Sequence, residues 1–337
     1  MGAFVWRRLL AVPPILVGIT LVTFVLLHTV PGDPARMYLG ESAQDPRVLA
    51  ALHRQWGLDQ PLPVQYLSYL ANLARGNMGF SIHSGRAVAQ DLAHYLPATV
   101  ELSLVSFVIA VVLGLPLGVL SGARANSATD HVSRVGSLLF LSMPSFWFGL
   151  IVIYVGYFVL GWLPSPTGRL GMMDVAPPTV TGLYTIDTLL AGDTAEFWRA
   201  VWHLLPPAFT LSLPSLGLTV RLVRTSIVEV LSQDFVRTAR SKGVAAAGVL
   251  YRHALRNALI PTVTVLGVQF GLLFSGNILV ETVFAWPGLG SYLVQAIEWL
   301  DYSAVMGCTV LIAALFVGVN VLVDFTYAAL DPRIHYE

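Results

Sequence analysis

The chain has 337 residues, a hydrophobic fraction of 55%, a charged fraction of 11% and no formal net charge, and its mean hydropathy is +0.71. Soluble domains carry about a quarter of their residues charged, so this composition excludes a soluble globular protein and places the chain in a membrane. Zero net charge gives no support for nucleic-acid binding; in a bilayer the informative quantity is how charge divides between the two faces.

The first apolar run, 9–30, follows Arg7 and Arg8 and reaches the roughly 20 residues that a hydrocarbon core requires. It exceeds the usual core of a signal peptide, and "HTVPGDP" at its far end offers no small-x-small cleavage site, so a retained anchor is expected. Segment 31–97 is too long for a simple connection. Within it Leu67, Leu70 and Leu73, with Tyr66 and Tyr69 beside them, predict a short amphipathic helix. Five further apolar runs follow at 98–120, 135–163, 204–230, 258–284 and 304–330, so the expected fold is an all-α polytopic membrane protein of six transmembrane helices. Segment 164–203 opens on the turn-forming "PSPTGRLG" and should be partly helical further on. With no low-complexity tract or repeat, 1–337 is expected to be a single domain.

Gly114, Gly118 and Gly122 share one helix face, as do Gly267, Gly271 and Ser275. In lipid such faces allow close backbone approach, but spacing leaves open whether the neighbour belongs to this chain or to a second subunit. With the amino terminus in the cytosol, Arg7, Arg8, Arg124, Arg134, Arg221, Arg224, Arg237, Arg240, Lys242, Arg252, Arg256 and Arg333 fall inside. That is 12 of the 19 basic residues, in much less loop than the outer face has, and it predicts that both termini are cytosolic.

The sole lysine, Lys242, lies between Ser241 and Gly243, so no ATP-binding P-loop is present, and the histidines form no HExxH pair. "LLFSGN" lacks the glycine two residues before Ser275 that an intramembrane serine site would show. No cluster of Cys, Met or His suits a transition metal, and Cys308, inside an apolar run, is expected to be a buried small hydrophobe. The ionisable residues of the apolar runs lie towards their ends. Arg221 and Arg224 share a face and are expected to snorkel or to form a structural ion pair with Asp324. Gln269, Ser275, Asn277 and Asn320 are candidates for lining a substrate path, with interhelical hydrogen bonding as the plainer role.

"QDFVRTARSKGVAAAGVLYRHALRNALIP", residues 233–261, concentrates positive charge between two apolar runs. It reads as two helices parted by Gly243. The first carries Arg237, Arg240 and Lys242 in its last turns, where cations complement the helix dipole, and Gly243 can end it in the left-handed conformation. The second, from 245 to 257, presents Ala245, Ala246 and Gly248, then Val249 and Leu250, a low-profile surface suited to a groove on a partner. A simple positive-inside loop fits the same residues.

The chain resembles the permeases of binding-protein-dependent ABC importers for peptides and nickel. The likeness runs through "HTVPGDP", "GNMGFSI", "LPATVELSL", "SMPSFWFGL", "DFVRTARSKG", "RHALRNALIP", "ETVFAWPGLGSYLVQAI" and "VDFTYAALDPRI". The general importer signature begins Glu-Ala-Ala and has a glycine four residues after its second alanine. Here Arg237 and Thr238 depart from it, while Ala239 and Gly243 match, the form similar to the peptide and nickel branch. The resemblance implies a type I importer permease fold in the bacterial inner membrane. It further implies a homologous second permease, an extracytoplasmic substrate-binding protein, and two cytosolic ATPase subunits that hold ATP and Mg, with no cofactor on this chain. Residues 231–257 would then be the coupling loop, with Arg237, Ala239, Lys242, Gly243, Ala245, Ala246, Gly248, Val249, Leu250 and Arg252 framing the ATPase contact. The outer loop 164–203 looks most like that of dipeptide permeases, so dipeptides or short peptides are the expected substrates. Oligopeptides, a nickel chelate, haem or amino-levulinate are the alternatives within the family. An ion-gradient-driven secondary transporter or an intramembrane hydrolase would be the reading from another class.

Overall fold

The computed structural model describes residues 2–274 and 278–330, which contain helices, one isolated antiparallel bridge between Phe80 and Ala87, and no strand. In chain order the first helices are α1 (Gly2–Thr29), α2 (Pro34–Leu39), α3 (Pro46–Trp56), α4 (Leu62–Ala74) and α5 (Val88–Ala123). Then come α6 (Ala128–Ser142), α7 (Ser145–Val152), α8 (Tyr184–Leu190), α9 (Thr194–Leu231) and α10 (Asp234–Ser241). The last are α11 (Ala246–Gly248), α12 (Leu255–Phe274), α13 (Ile278–Val283), α14 (Leu289–Glu298) and α15 (Tyr302–Leu330). They form two compact units, one made of the chain up to Thr99 with Pro287–Leu315, the other of Val100–Trp286 with the segment from Phe316.

The first unit is built around Phe24, Leu27, Val88, Leu92, Leu289, Tyr292 and Cys308, all buried. Cys308 is fully buried, as its setting in an apolar run predicts. The short helices start on side-chain caps: Asp33 accepts from the Ala35 N–H at 3.0 Å, and Asp45 from the Arg47 N–H at 2.8 Å, each followed by a proline in the first turn. The amphipathic helix expected around residue 67 is α4, but its inward side differs from the sequence reading. Leu67 is exposed, while Tyr66 and Tyr69 pack on the core and the Tyr66 hydroxyl donates to the Val17 carbonyl at 2.8 Å. At Tyr66 the amphipathic ring buries its body and still satisfies its polar tip.

Two long helices start well before their apolar runs, α5 at Val88 and α9 at Thr194. Their first turns are polar, so hydropathy does not register them; for α9 the start is set by Asp193, which accepts from the Glu196 N–H at 2.9 Å. The run 135–163, expected as one helix, is two: α6 and the segment Ser145–Val159, which α7 opens, meet at 105°. The residue before a proline is driven out of helical conformation, and Met143, ahead of Pro144, is extended with ψ 132°. By length and apolarity three described helices can cross a bilayer, Leu10–Thr29, Val88–Ala123 and Tyr302–Val323, and up to five if each of two bent pairs counts as one span.

The central helix of the second unit, α9, is not among those three. Pro206, Pro207 and Pro214 and the buried Thr210, Ser212 and Thr219 reduce its apolarity. Contacts with α6, α7, α8, α12 and α13 replace lipid around it. Its buried hydroxyls donate back to helix carbonyls, Thr210 to Pro206 at 2.8 Å and Thr219 to Ser215 at 2.7 Å.

Gly114, Gly118 and Gly122 face α9, which settles the neighbour of that stripe as this chain. A Cβ would sit 2.8 Å from Thr219 at Gly114, 2.6 Å from Val223 at Gly118 and 2.8 Å from Ile227 at Gly122. Gly267 and Gly271 of α12 similarly face Val323 and Val319 of α15. Gly118→Ala should therefore destabilise the purified protein by about 1–3 kcal/mol, the usual cost of overpacking, whereas Gly136→Ala, with nothing within 4 Å of a Cβ, should leave its thermal midpoint unchanged. Equal midpoints for the two variants in detergent would contradict the close approach.

Candidate functional site

The basic segment folds as an elbow. Helix α10 ends as its glycine predicts, with Gly243 left-handed at φ +78°. The Gly243 N–H donates to Arg240 at 3.0 Å and the Val244 N–H to Ala239 at 3.2 Å, the paired bonds of a Schellman end. Past this turn the structure departs from the expectation of a separate second helix. From Ala246 the chain passes through α11, a wider π-helical turn over Val249–Ala254, and directly into α12. Ala246–Leu259 and Pro261–Leu273 form one rod bent by 45°, at the proline that removes a helix hydrogen bond.

The π-turn decides which residues the elbow shows. Five residues apart on an α-helix of 3.6 residues per turn, Val249 and Ala254 would diverge; the extra residue in the turn returns them to one side. Both are buried, with Ala258, against Val236 and Ala239 of α10 and Val119, Val223, Ile227 and Val230. Ala239 and Val249, assigned to a partner contact by the sequence, therefore hold the elbow to its own bundle. Leu250 and Gly248 are half-buried, while Arg237, Lys242, Gly243, Ala245, Ala246 and Arg252 are exposed. Three apolar residues that the sequence reading did not single out join them: Phe235 at 40%, Val244 at 36% and Tyr251 at 63% exposure. No composition signal separates Tyr251 from Val249, because the register change at the π-turn is not encoded in hydropathy.

Above the elbow, Arg224 makes a bidentate pair with Asp130, Nε to Oδ1 at 2.6 Å and Nη2 to Oδ2 at 2.8 Å. Asp130 is fully buried and also accepts from the Ser121 hydroxyl at 2.6 Å and the Asn126 N–H at 2.8 Å. This joins α5, α6 and α9; the ion pair expected with Asp324 falls on a side chain that lies outside the described residues. Arg221 is exposed and lines a cavity of about 380 Å³ with Arg134 and Arg224.

Of the path candidates, Gln269 is buried in α12, and Asn320 is half-buried with its amide donating to Phe316 at 2.9 Å. Ser275 and Asn277 lie outside the described residues.

The 164–203 segment is pinned by two buried carboxylates. Glu101 accepts from Arg169 at 2.6 Å and from the Thr185 N–H and hydroxyl at 2.8 and 2.7 Å, with the Arg169 guanidinium 3.5 Å over the Tyr184 ring. Asp187 accepts from the N–H groups of Thr181 and Gly182 at 2.7 and 2.9 Å and from the Thr181 hydroxyl at 2.7 Å. Burial alone would push the Asp187 carboxyl up, but these donors outweigh it and hold the carboxyl below its ordinary value.

Two predictions arise here. Asp130→Ala, which strands Arg224, should destabilise the protein by about 3–5 kcal/mol, against about 0.5 kcal/mol or less for Arg221→Ala; similar thermal midpoints would remove the pair's anchoring role. A depressed carboxyl stabilises the fold above its unfolded value of about 3.9 and loses that contribution as pH falls through the lower folded value. Wild type should thus unfold at a higher temperature than Asp187→Asn at pH 7, and the gap should close on acidification below about pH 4. A gap that widens towards low pH would reverse the assignment.

The chain matches, over residues 114–336, the family described as the binding-protein-dependent transport system inner membrane component, and over residues 1–103 its N-terminal counterpart. It is 44% identical over 339 residues to the di/tripeptide transport system permease protein DppB of Pseudomonas aeruginosa, covering 100% of both chains. It is 40% identical over 336 residues to the dipeptide transport system permease protein DppB of Alkalihalophilus pseudofirmus, again covering 100% of both. The probable D,D-dipeptide transport system permease protein DdpB of Escherichia coli is 42% identical over 320 residues, 95% of this chain and 94% of the relative.

Proposed function

Because the chain belongs to the family of inner-membrane components of binding-protein-dependent transport systems, we propose that it is the short-peptide-conducting half of an ATP-driven importer. Dipeptides are the substrates this reading favours, in keeping with the names its full-length relatives carry. The chain is a transport component and not itself an enzyme. In this reading α1, α5, α6 with α7, α9, α12 with α13, and α15 make six crossings, with both termini and residues 231–257 in the cytosol. Trp162, Trp198 and Trp202, exposed at the opposite end, suit an aromatic belt at the outer interface.

The observation that carries the proposal is the unbroken passage from the elbow into α12. A homologous permease completes the pathway, and a substrate-binding protein delivers peptide to 31–97 and 164–203. Two cytosolic ATPase subunits, which hold ATP and Mg, receive the exposed surface of Arg237, Lys242, Ala245, Ala246, Tyr251 and Arg252. Closure of the ATPases displaces the elbow. Since Val249 and Ala254 are packed into the bundle, the displacement passes to α12 rather than being absorbed in a loop. Transport requires the loaded binding protein and ATP each to bind the inward- and outward-open states with different affinity, because a ligand with equal affinity for both states shifts neither.

Ala246→Glu and Tyr251→Ala should leave the protein in the membrane while uncoupling ATP hydrolysis from uptake, with a loss of about tenfold or more in peptide accumulated per ATP, about 1.4 kcal/mol of coupling. Uptake by wild type should stop on ATP depletion and survive an ionophore. Full transport by both variants, or uptake that follows the ion gradient, would refute the reading.

A further inference from the structure

Gln269 is 5% exposed, and neither its Nε2 nor its Oε1 has a hydrogen-bond partner among the described residues. Leaving a buried donor or acceptor unpaired costs about 1–3 kcal/mol for each group, so a carboxamide orphaned at both atoms points to a partner supplied from outside the fold. The side chain lines a groove of about 240 Å³, open on one side, whose walls include Leu141 of α6 and Leu211, Pro214, Ser215 and Leu218 of α9. The groove has one apolar character throughout, interrupted by Ser215 and Gln269, and none of its lining side chains is charged.

A carboxamide offers one acceptor oxygen and an NH₂ donor in one plane. A peptide group complements either atom, its N–H reaching the oxygen or its carbonyl reaching the NH₂, one at a time because a trans amide holds the two on opposite sides. Apolar walls without a countercharge accept charged termini poorly, so those of a short peptide would lie towards the groove's open side. The volume falls below the roughly 300 Å³ at which sites for drug-sized ligands begin, a size for a residue or two of extended chain. Gln269 also lies on the rod that begins at the elbow, opposite the α9 wall, so displacement of the elbow changes the spacing between the amide and that wall.

We infer that Gln269 is a transit-binding residue that pairs with the backbone amide of the peptide in passage between α12 and α9. This inference rests on the importer reading above and adds to it the chemical group recognised: the peptide bond, independent of side chain. A passing amide also explains why the carboxamide has no permanent partner among the described residues. A fixed internal hydrogen bond would have to be broken at each turnover, and a full complement of partners would hold the substrate.

The test uses the complete transporter, with its partner permease, ATPases and binding protein, reconstituted in vesicles. The probes are alanyl-alanine and alanyl-lactate, whose ester oxygen replaces the peptide N–H. With loaded binding protein saturating for each probe, wild type should take up the ester about tenfold more slowly, the scale of one lost hydrogen bond in a dry site. In Gln269→Met and Gln269→Leu, alanyl-alanine uptake should fall and the two probes should be carried at equal rates. A variant that keeps the wild-type ratio, or a wild type that never discriminates, overturns the inference while leaving the importer reading intact. Failure of both variants to assemble with the partner permease would assign the carboxamide to a subunit contact and would overturn it as well. Failure of the intact wild-type complex to take up either probe would remove the peptide-import reading itself, and this inference with it.

Discussion

The approach of α5 to α9 across three glycines is the contact on which the second unit depends. In lipid, leucine gains nothing by leaving the hydrocarbon for another helix, so apolar burial alone cannot hold two helices together. Close backbone approach can, because it multiplies dispersion contacts along the whole interface. Thr219, Val223 and Ile227 fill the space that side chains at Gly114, Gly118 and Gly122 would occupy. This fixes α9 as a central helix, and only a helix surrounded by protein can carry three prolines and several buried hydroxyls.

Once α9 is fixed, the positions of the polar anchors follow. Arg224 projects from the same part of α9 as Val223 and Ile227 and meets Asp130, whose remaining acceptor capacity is taken by Ser121 and Asn126. A buried charge pair is tolerable when its geometry is bidentate and its other sites are filled. The same logic operates at Glu101 and Asp187, where short fixed donors replace water and tie down a long connecting segment. Gln269 is the contrast: a buried polar group in the same unit whose amide is left open. Carboxylates held by several fixed donors and a carboxamide left open at both atoms along a groove are what a protein with fixed scaffolding and a passing ligand would need.

The elbow has two faces of different character. Its inner face of Val236, Ala239, Val249 and Ala254 is a continuation of the bundle core, and its outer face is a mixture of cations and exposed apolar groups. One surface is thus available to a partner while the other is mechanically joined to α12. The Schellman turn at Gly243 sets the angle between the two arms, and the π-turn sets which residues face which way.

The sequence by itself determined the membrane class, the helical fold, the family, the hinge at Gly243 and the close-packing glycine faces. Each of these is written locally, in a run of apolar residues, a residue type or a spacing. What it could not give was anything decided by contact between distant segments. Arg224 was legible as a charge needing a partner, but Asp130 as that partner required the packing of α6 on α9. Val249 and Tyr251 are both bulky neighbours in a small-residue helix, and only the π-turn puts one inside and the other out. The break at Pro144 was encoded in a single residue, yet its 105° bend depends on where α7 finds a surface to pack. Gln269 was visible as a polar residue in an apolar run; that its amide has no partner among the described residues is a property of the fold, since hydrogen bonds are made between surfaces that sequence order does not bring together.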